Sequence, residues 1–169
     1  MAKLAPFADS IIRHLVKLCF YVSAALIVLL VLIGAGDAAG SAVFNQGIPA
    51  ATELSAAILA ATVATALPYA QSRNEHIIVD IVIALIKGKV RRYVDIVAYI
   101  VSTAVFALVA WAGFNSAVAS TANLEFASAV YSFPIYPFKI AFAFGVLVML
   151  LETIRQSVHA LSGKSSLPI

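Results

Sequence analysis

The stretch from Leu18 to Gly36 holds 19 residues without a single charge, and nothing else in the chain restricts its fold as much. As a helix it is about 28 Å long, close to the ~30 Å hydrocarbon core of a bilayer. A helix that is apolar all round has to be buried on every side, in a large core or in lipid. The composition favours lipid. The chain is 63% hydrophobic and 11% charged over 169 residues, against about 45–50% and about 25% in soluble domains. Its mean hydropathy is +1.02. Lys3, Arg13 and Lys17 precede the run and the small residues GAGDAAGSA end it, which is also how a secretory leader is arranged. A leader core, however, is usually only about 7–15 residues. The expectation is an uncleaved transmembrane helix over about 15–36. Asp9 or Ser10 would cap it, and Asp37 to Pro49 would form a loop.

Three further spans are expected, over about 53–71, 94–116 and 134–154. The second is poor in large side chains. Ala56, Ala60 and Ala64 recur every fourth residue, with Ala57, Ala61 and Thr65 beside them. Burying one apolar helix against another gains nothing in lipid, so helices associate through close backbone approach, which small residues permit. This span should be the most enclosed, with Pro68 near its inner end. Trp111 closes the third span. Tyr131 and Tyr136, with Phe133 and Phe138, open the fourth, and together with Trp111 they form an expected aromatic belt at the outer boundary.

Between spans two and three, Ile77 to Ile86 is apolar except for Asp80. At about 15 Å it is too short to cross. On a helical wheel His76, Asp80, Lys87 and Arg91 share a stripe, while Ile78, Ile81, Leu85 and their neighbours fill the rest. A short amphipathic helix over about 75–87, lying in the headgroup plane, is expected. The fold class is therefore an all-α integral membrane protein of one domain, residues 1–169. It has four transmembrane helices and an interfacial helix between the second and third.

Ten of the eleven lysines and arginines then fall on one side: Lys3, Arg13, Lys17, Arg73, Lys87, Lys89, Arg91, Arg92, Arg155 and Lys164. This is the positive-inside pattern, which puts both termini and the interfacial arm in the cytoplasm and makes Arg73, Arg91 and Arg92 its anchors. The net charge of +3 follows from topology. No interleaved basic and aromatic surface points to nucleic acid.

The spans lack chemistry at mid-depth. None has an ionisable residue or a Gly/Pro break near its centre, which argues against a solute path through this chain alone. His14, His76 and His159 sit beside boundary charges, unlike haem ligands inside a bundle. Cys19 has no partner for a disulfide or thiolate site, and no nucleophile has a base at workable spacing. No catalytic, cofactor or metal site is expected. Glu53 and Lys139, the charges nearest the outer boundary, are expected either to pair with each other or to meet a partner subunit. Two side chains that snorkel without meeting is the plain alternative.

The segment RNEHIIVDIVIALIKGKVRRYVD resembles the small permease subunit of tripartite ATP-independent periplasmic (TRAP) transporters: an arginine, a His-Ile-x-Val-Asp motif, a basic cluster and an aspartate. Glu53 before span two, the Trp111/Gly113 end of span three, and EFASAVYSFPIYPFK before span four are similar landmarks, and the resemblance covers roughly Glu53 to Arg155. It implies a bacterial inner-membrane symport system made of this chain, a large elevator-type permease carrying the substrate and sodium sites, and a soluble periplasmic binding protein. It also implies an organic acid such as a C4-dicarboxylate or sialic acid as cargo, with this chain as a scaffold. Rival readings are the small subunit of a tripartite tricarboxylate transporter, a quinone- or haem-binding membrane anchor, and a self-sufficient homodimeric exporter.

Overall fold

Backbone in hydrocarbon has no water to satisfy its N–H and C=O groups, so each spanning segment must close its hydrogen bonds internally. The computed structural model describes residues 4–73, 89–127 and 133–161. Among them are four long helices: α1 Leu4–Phe44, α2 Ala51–Ser72, α3 Lys89–Ala122 and α4 Tyr136–Leu161. Each contains a stretch long and apolar enough to cross a membrane. A two-residue antiparallel ladder, β1 Phe126–Ala127 with β2 Phe133–Pro134, closes the connection between α3 and α4. The expected interfacial helix over 75–87, with His76, Ile78, Asp80, Ile81, Leu85 and Lys87, lies outside the described residues, as does Tyr131. Arg91 and Arg92 fall in the first turn of α3.

The first helix departs most from expectation. It has 41 residues, about 61 Å at 1.5 Å each. It starts before Asp9 and Ser10, so neither caps it, and the loop expected from Asp37 begins only at Asn45. Gly34, Gly36 and Gly40 are helix interior. Asp37 is a clasp: its Oδ1 accepts the Ile48 N–H at 2.6 Å, while the Gln46 N–H donates to Gly40 O at 3.3 Å. The segment 45–50 thus doubles back along the last two turns of α1. That approach requires glycine, since a Cβ on Gly40 would lie 2.8 Å from Gln46 O and one on Gly47 would lie 2.7 Å from Asp37 Oδ1.

The helices form a row in which α2 packs between α1 and α4, α1 also touches α4, and the extensive contacts of α3 are with α4. Burial follows that order. In α2, 44% of the apolar window is buried, against 11% in α1 and in α3. The buried face of α2 is Leu54, Ile58, Ala61, Thr65 and Pro68, whose alternating spacing of four and three is that of a packed helical seam. Ala64 is buried beside it, but Ala56 and Ala60 are exposed. The alanine stripe expected to pack is therefore displaced: only Ala64 of the three is used within the chain. The register is set by Gly145 on α4, where a Cβ would stand 2.5 Å from Ala64 O and 2.8 Å from Thr65 N. Toward the end of α1 that carries Asp9, Val16, Cys19 and Val148 are joined by Ile12, Leu15 and Tyr69.

Gly113 fixes the register of α3 on α4, because a Cβ added there would lie 3.1 Å from the Phe142 ring and 3.8 Å from Ala143 Cα. Counting outward in antiparallel register, Trp111 is level with Gly145 and about 13 Å below Tyr136 along the axis. The outer belt expected to include both does not form at one level. Trp111 sits near mid-depth on α3, 69% exposed.

Candidate functional site

At the end of the bundle that carries Asp9, α4 places Glu152, Arg155 and Gln156 three and four residues apart, the spacing that puts side chains on one helix face. Glu152 is completely buried. Arg155 donates to it through Nε at 3.0 Å and Nη2 at 2.6 Å, a two-pronged pairing that holds orientation as well as charge. Gln156 Nε2 donates to Glu152 Oε1 at 3.1 Å and to Gln71 O at 2.8 Å, and Gln71 Nε2 donates to Gln156 Oε1 at 2.6 Å. Gln71 O belongs to the last turn of α2, where carbonyls lack partners within the helix. Arg155 Nη1 also lies 3.8 Å from Asp9 Oδ1. One carboxylate therefore ties α1, α2 and α4 together. Its lone pairs are committed to this clamp, which leaves it poorly suited to act as a base or ion ligand. Glu152 falls near the end of the expected fourth span, over about 134–154, and its residue type alone does not reveal its burial. Arg and Gln at its third and fourth successors were the legible signal.

At the opposite end of the bundle, Lys139 Nζ lies 2.6 Å from Glu125 Oε2, and Ser120 donates to the same oxygen. The ladder makes this possible, because the Ile135 N–H donates to Glu125 O at 3.0 Å and brings the loop carboxylate over the start of α4. The expected pairing of Lys139 with Glu53 is replaced by this one. Glu53 lies exposed in the first turn of α2, where the helix dipole favours a carboxylate, and among the described residues it makes no hydrogen bond or ion pair.

The hydrogen bonds from Lys139 and Ser120 hold the Glu125 carboxyl below its usual pKa. A depressed folded-state value means the pair's contribution is complete above the ordinary carboxylate pKa of about 4.3 and is lost as pH falls through the lowered value. Exposed pairs contribute little. The small difference in unfolding midpoint between wild type and Glu125→Gln should be constant from pH 7 to 5 and vanish under stronger acid. A difference that grows on acidification would refute the assignment.

Between these two boundaries, the buried polar side chains among the described residues are satisfied by their own helices. Thr62 donates to Ile58 O, Thr65 to Ala61 O and Thr153 to Met149 O, each at 2.8–2.9 Å, and Ser23 donates to Phe20 O at 3.0 Å. Such back-bonding needs no ligand. No buried side-chain nitrogen or oxygen among the described residues is left without a partner, and no group of three or more His, Cys, Asp or Glu there could hold a metal ion.

No curated protein and no solved structure matches the chain. The family model described as "Tripartite ATP-independent periplasmic transporters, DctQ component" matches residues 30–163. That range takes in α2, α3, α4, the connections between them and the last third of the first apolar run. With four spanning helices and its ion pairs at the membrane edges, the chain belongs to the DctQ component family of the tripartite ATP-independent periplasmic transporters.

Proposed function

We propose that this small TRAP transporter subunit is a non-catalytic scaffold for a large elevator-type permease, which carries the substrate and sodium sites and imports an organic acid delivered by a periplasmic binding protein. The observation that carries the reading is the middle of the molecule, where every buried polar side chain described is spent on its own helix and none is left for a solute. The segregation of basic residues supports a topology with both termini in the cytoplasm and the chain in an inner membrane. The 75–87 arm, braced by Arg73, Arg91 and Arg92, gives the scaffold lateral grip in the inner leaflet.

Two exposed faces are proposed to meet the large permease. On α3, the Trp111 indole stands near mid-depth, where an N–H without an acceptor is costly and lipid chains offer none. A partner helix can supply one. On α2, Glu53, Ala56 and Ala60 share an exposed face whose small residues permit close approach. Lys139 and Ala64 are already used within the chain. Trp111→Leu and Ala60→Leu are expected to reduce co-purification of the large permease several-fold while leaving the thermal unfolding of this chain unchanged. Full recovery of complex with either variant would assign that face to lipid. For the function itself, vesicles holding this chain alone should take up no organic acid, and vesicles holding both membrane subunits should take it up when sodium and the binding protein are supplied. Uptake by the single chain would overturn the reading.

A further inference from the structure

At the inner boundary, three aromatic rings bridge α1 and α2. Phe20 and Tyr21 meet edge to face at 5.7 Å, and Phe20 and Tyr69 lie 4.5 Å apart between centroids. Arg73, one turn beyond Tyr69, folds back over that ring at 5.4 Å, and its Nη2 donates to Tyr69 Oη at 3.0 Å. On α1, Lys17 lies one turn toward the N-terminus from Phe20 and Tyr21, on the same helical stripe, and Arg13 lies one turn further. Because α1 and α2 run antiparallel and Phe20 touches Tyr69, Lys17 and Arg73 come to the same level on either side of the α1–α2 seam. Lys17, Arg13 and Arg73 are exposed.

We infer that this juxtaposition is a binding site for the phosphate of an anionic phospholipid at the headgroup level of this end of the bundle. The Arg73 guanidinium, kept in place by Tyr69, and the Lys17 ammonium on the neighbouring helix bring two positive charges to one phosphate. The Tyr69 hydroxyl, which accepts from Arg73, keeps its own proton to donate. The rings provide an apolar wall along which the first methylenes of an acyl chain can lie, as aromatic residues do at membrane interfaces. Depth favours a lipid over free phosphate, because one side of the site is hydrocarbon. The site requires only that the helices span a membrane with this end at a headgroup plane, so it stands apart from the scaffold reading.

The test uses the full chain purified in detergent, with retained lipid measured by native mass spectrometry after addition of phosphatidylglycerol, phosphatidylcholine or inorganic phosphate. Wild type should retain phosphatidylglycerol over phosphatidylcholine and should ignore inorganic phosphate. At roughly five-fold per basic contact, Lys17→Gln with Arg73→Gln should weaken retention about thirty-fold. Arg73→Lys, which keeps the charge and loses the guanidinium held by Tyr69, should fall in between. The charge-matched pair Lys3→Gln with Lys164→Gln should stay within about two-fold of wild type. The thermal midpoint of each variant in phosphatidylcholine, unchanged from wild type, shows that it is folded. Equal retention in the Lys17/Arg73 variant, an equal loss in the Lys3/Lys164 control, or competition by inorganic phosphate would each overturn the site.

Discussion

Replacing Arg155 by methionine is expected to destabilise the protein by about 3–5 kcal/mol, the usual cost of leaving one member of a buried ion pair without its partner. Glu152 has no exposed surface, and in the variant its carboxylate would keep only the Gln156 donor at 3.1 Å. The pair itself contributes far less than that figure, because desolvating two charges offsets most of their attraction. Glu152→Leu combined with Arg155→Met should therefore recover most of the loss. Measured by unfolding in mixed detergent micelles, the order of stability should be wild type close to the double variant and both well above Arg155→Met. If the single and double variants are equally unstable, the clamp acts by shape alone and the electrostatic account fails. Glu152→Gln should fall between them, since it removes the charge and keeps an acceptor.

Gly145→Ala should also be disruptive, although it adds only one methyl group. That methyl has to fit where backbone atoms already stand, 2.5 Å from Ala64 O and 2.6 Å from Ala64 C. No side chain can turn aside there, so α2 and α4 must separate. Overpacking of this kind costs about 1–3 kcal/mol, and Gly145→Leu should exceed that range. Gly34 is the internal control. Nothing lies within 4 Å of a Cβ placed there, so Gly34→Ala in the same family of apolar helices should be neutral or stabilising by up to about 1 kcal/mol. Equal effects at the two glycines would mean that helix propensity outweighs packing here.

That the chain has four helices able to span a membrane was legible, because apolar length is nearly sufficient to reveal them. What was not legible depends on contacts distant in sequence. Gly34, Gly36, Asp37 and Gly40 read locally as turn formers, yet Asp37 reaches eleven residues on to Ile48 and the helix continues past all four. In a helix rich in alanine, Ala56/Ala60/Ala64 and Ala57/Ala61/Thr65 are equally plausible seams. The choice was made by Gly145, eighty residues later in the chain, whose lack of a side chain is informative only once its neighbour is known. Whether Lys139 pairs with Glu53, meets a partner subunit or snorkels alone is open in the sequence, because a two-residue ladder invisible to any periodicity delivers Glu125 to it instead. The spacing of Glu152, Arg155 and Gln156 could be read; the burial of Glu152 could not, since α1 and α2 contribute to it.

The first helix runs unbroken from Leu4 to Phe44, with its inner portion touching Arg155 at Asp9. A rod of this kind works as a lever. A pivot of 5° about Asp9 carries its far tip about 5 Å sideways at 1.5 Å of rise per residue, and the return segment that Asp37 fastens to it travels along. With no joint to absorb the swing, whatever tilts this subunit on one face of the membrane is felt on the opposite face in the same motion.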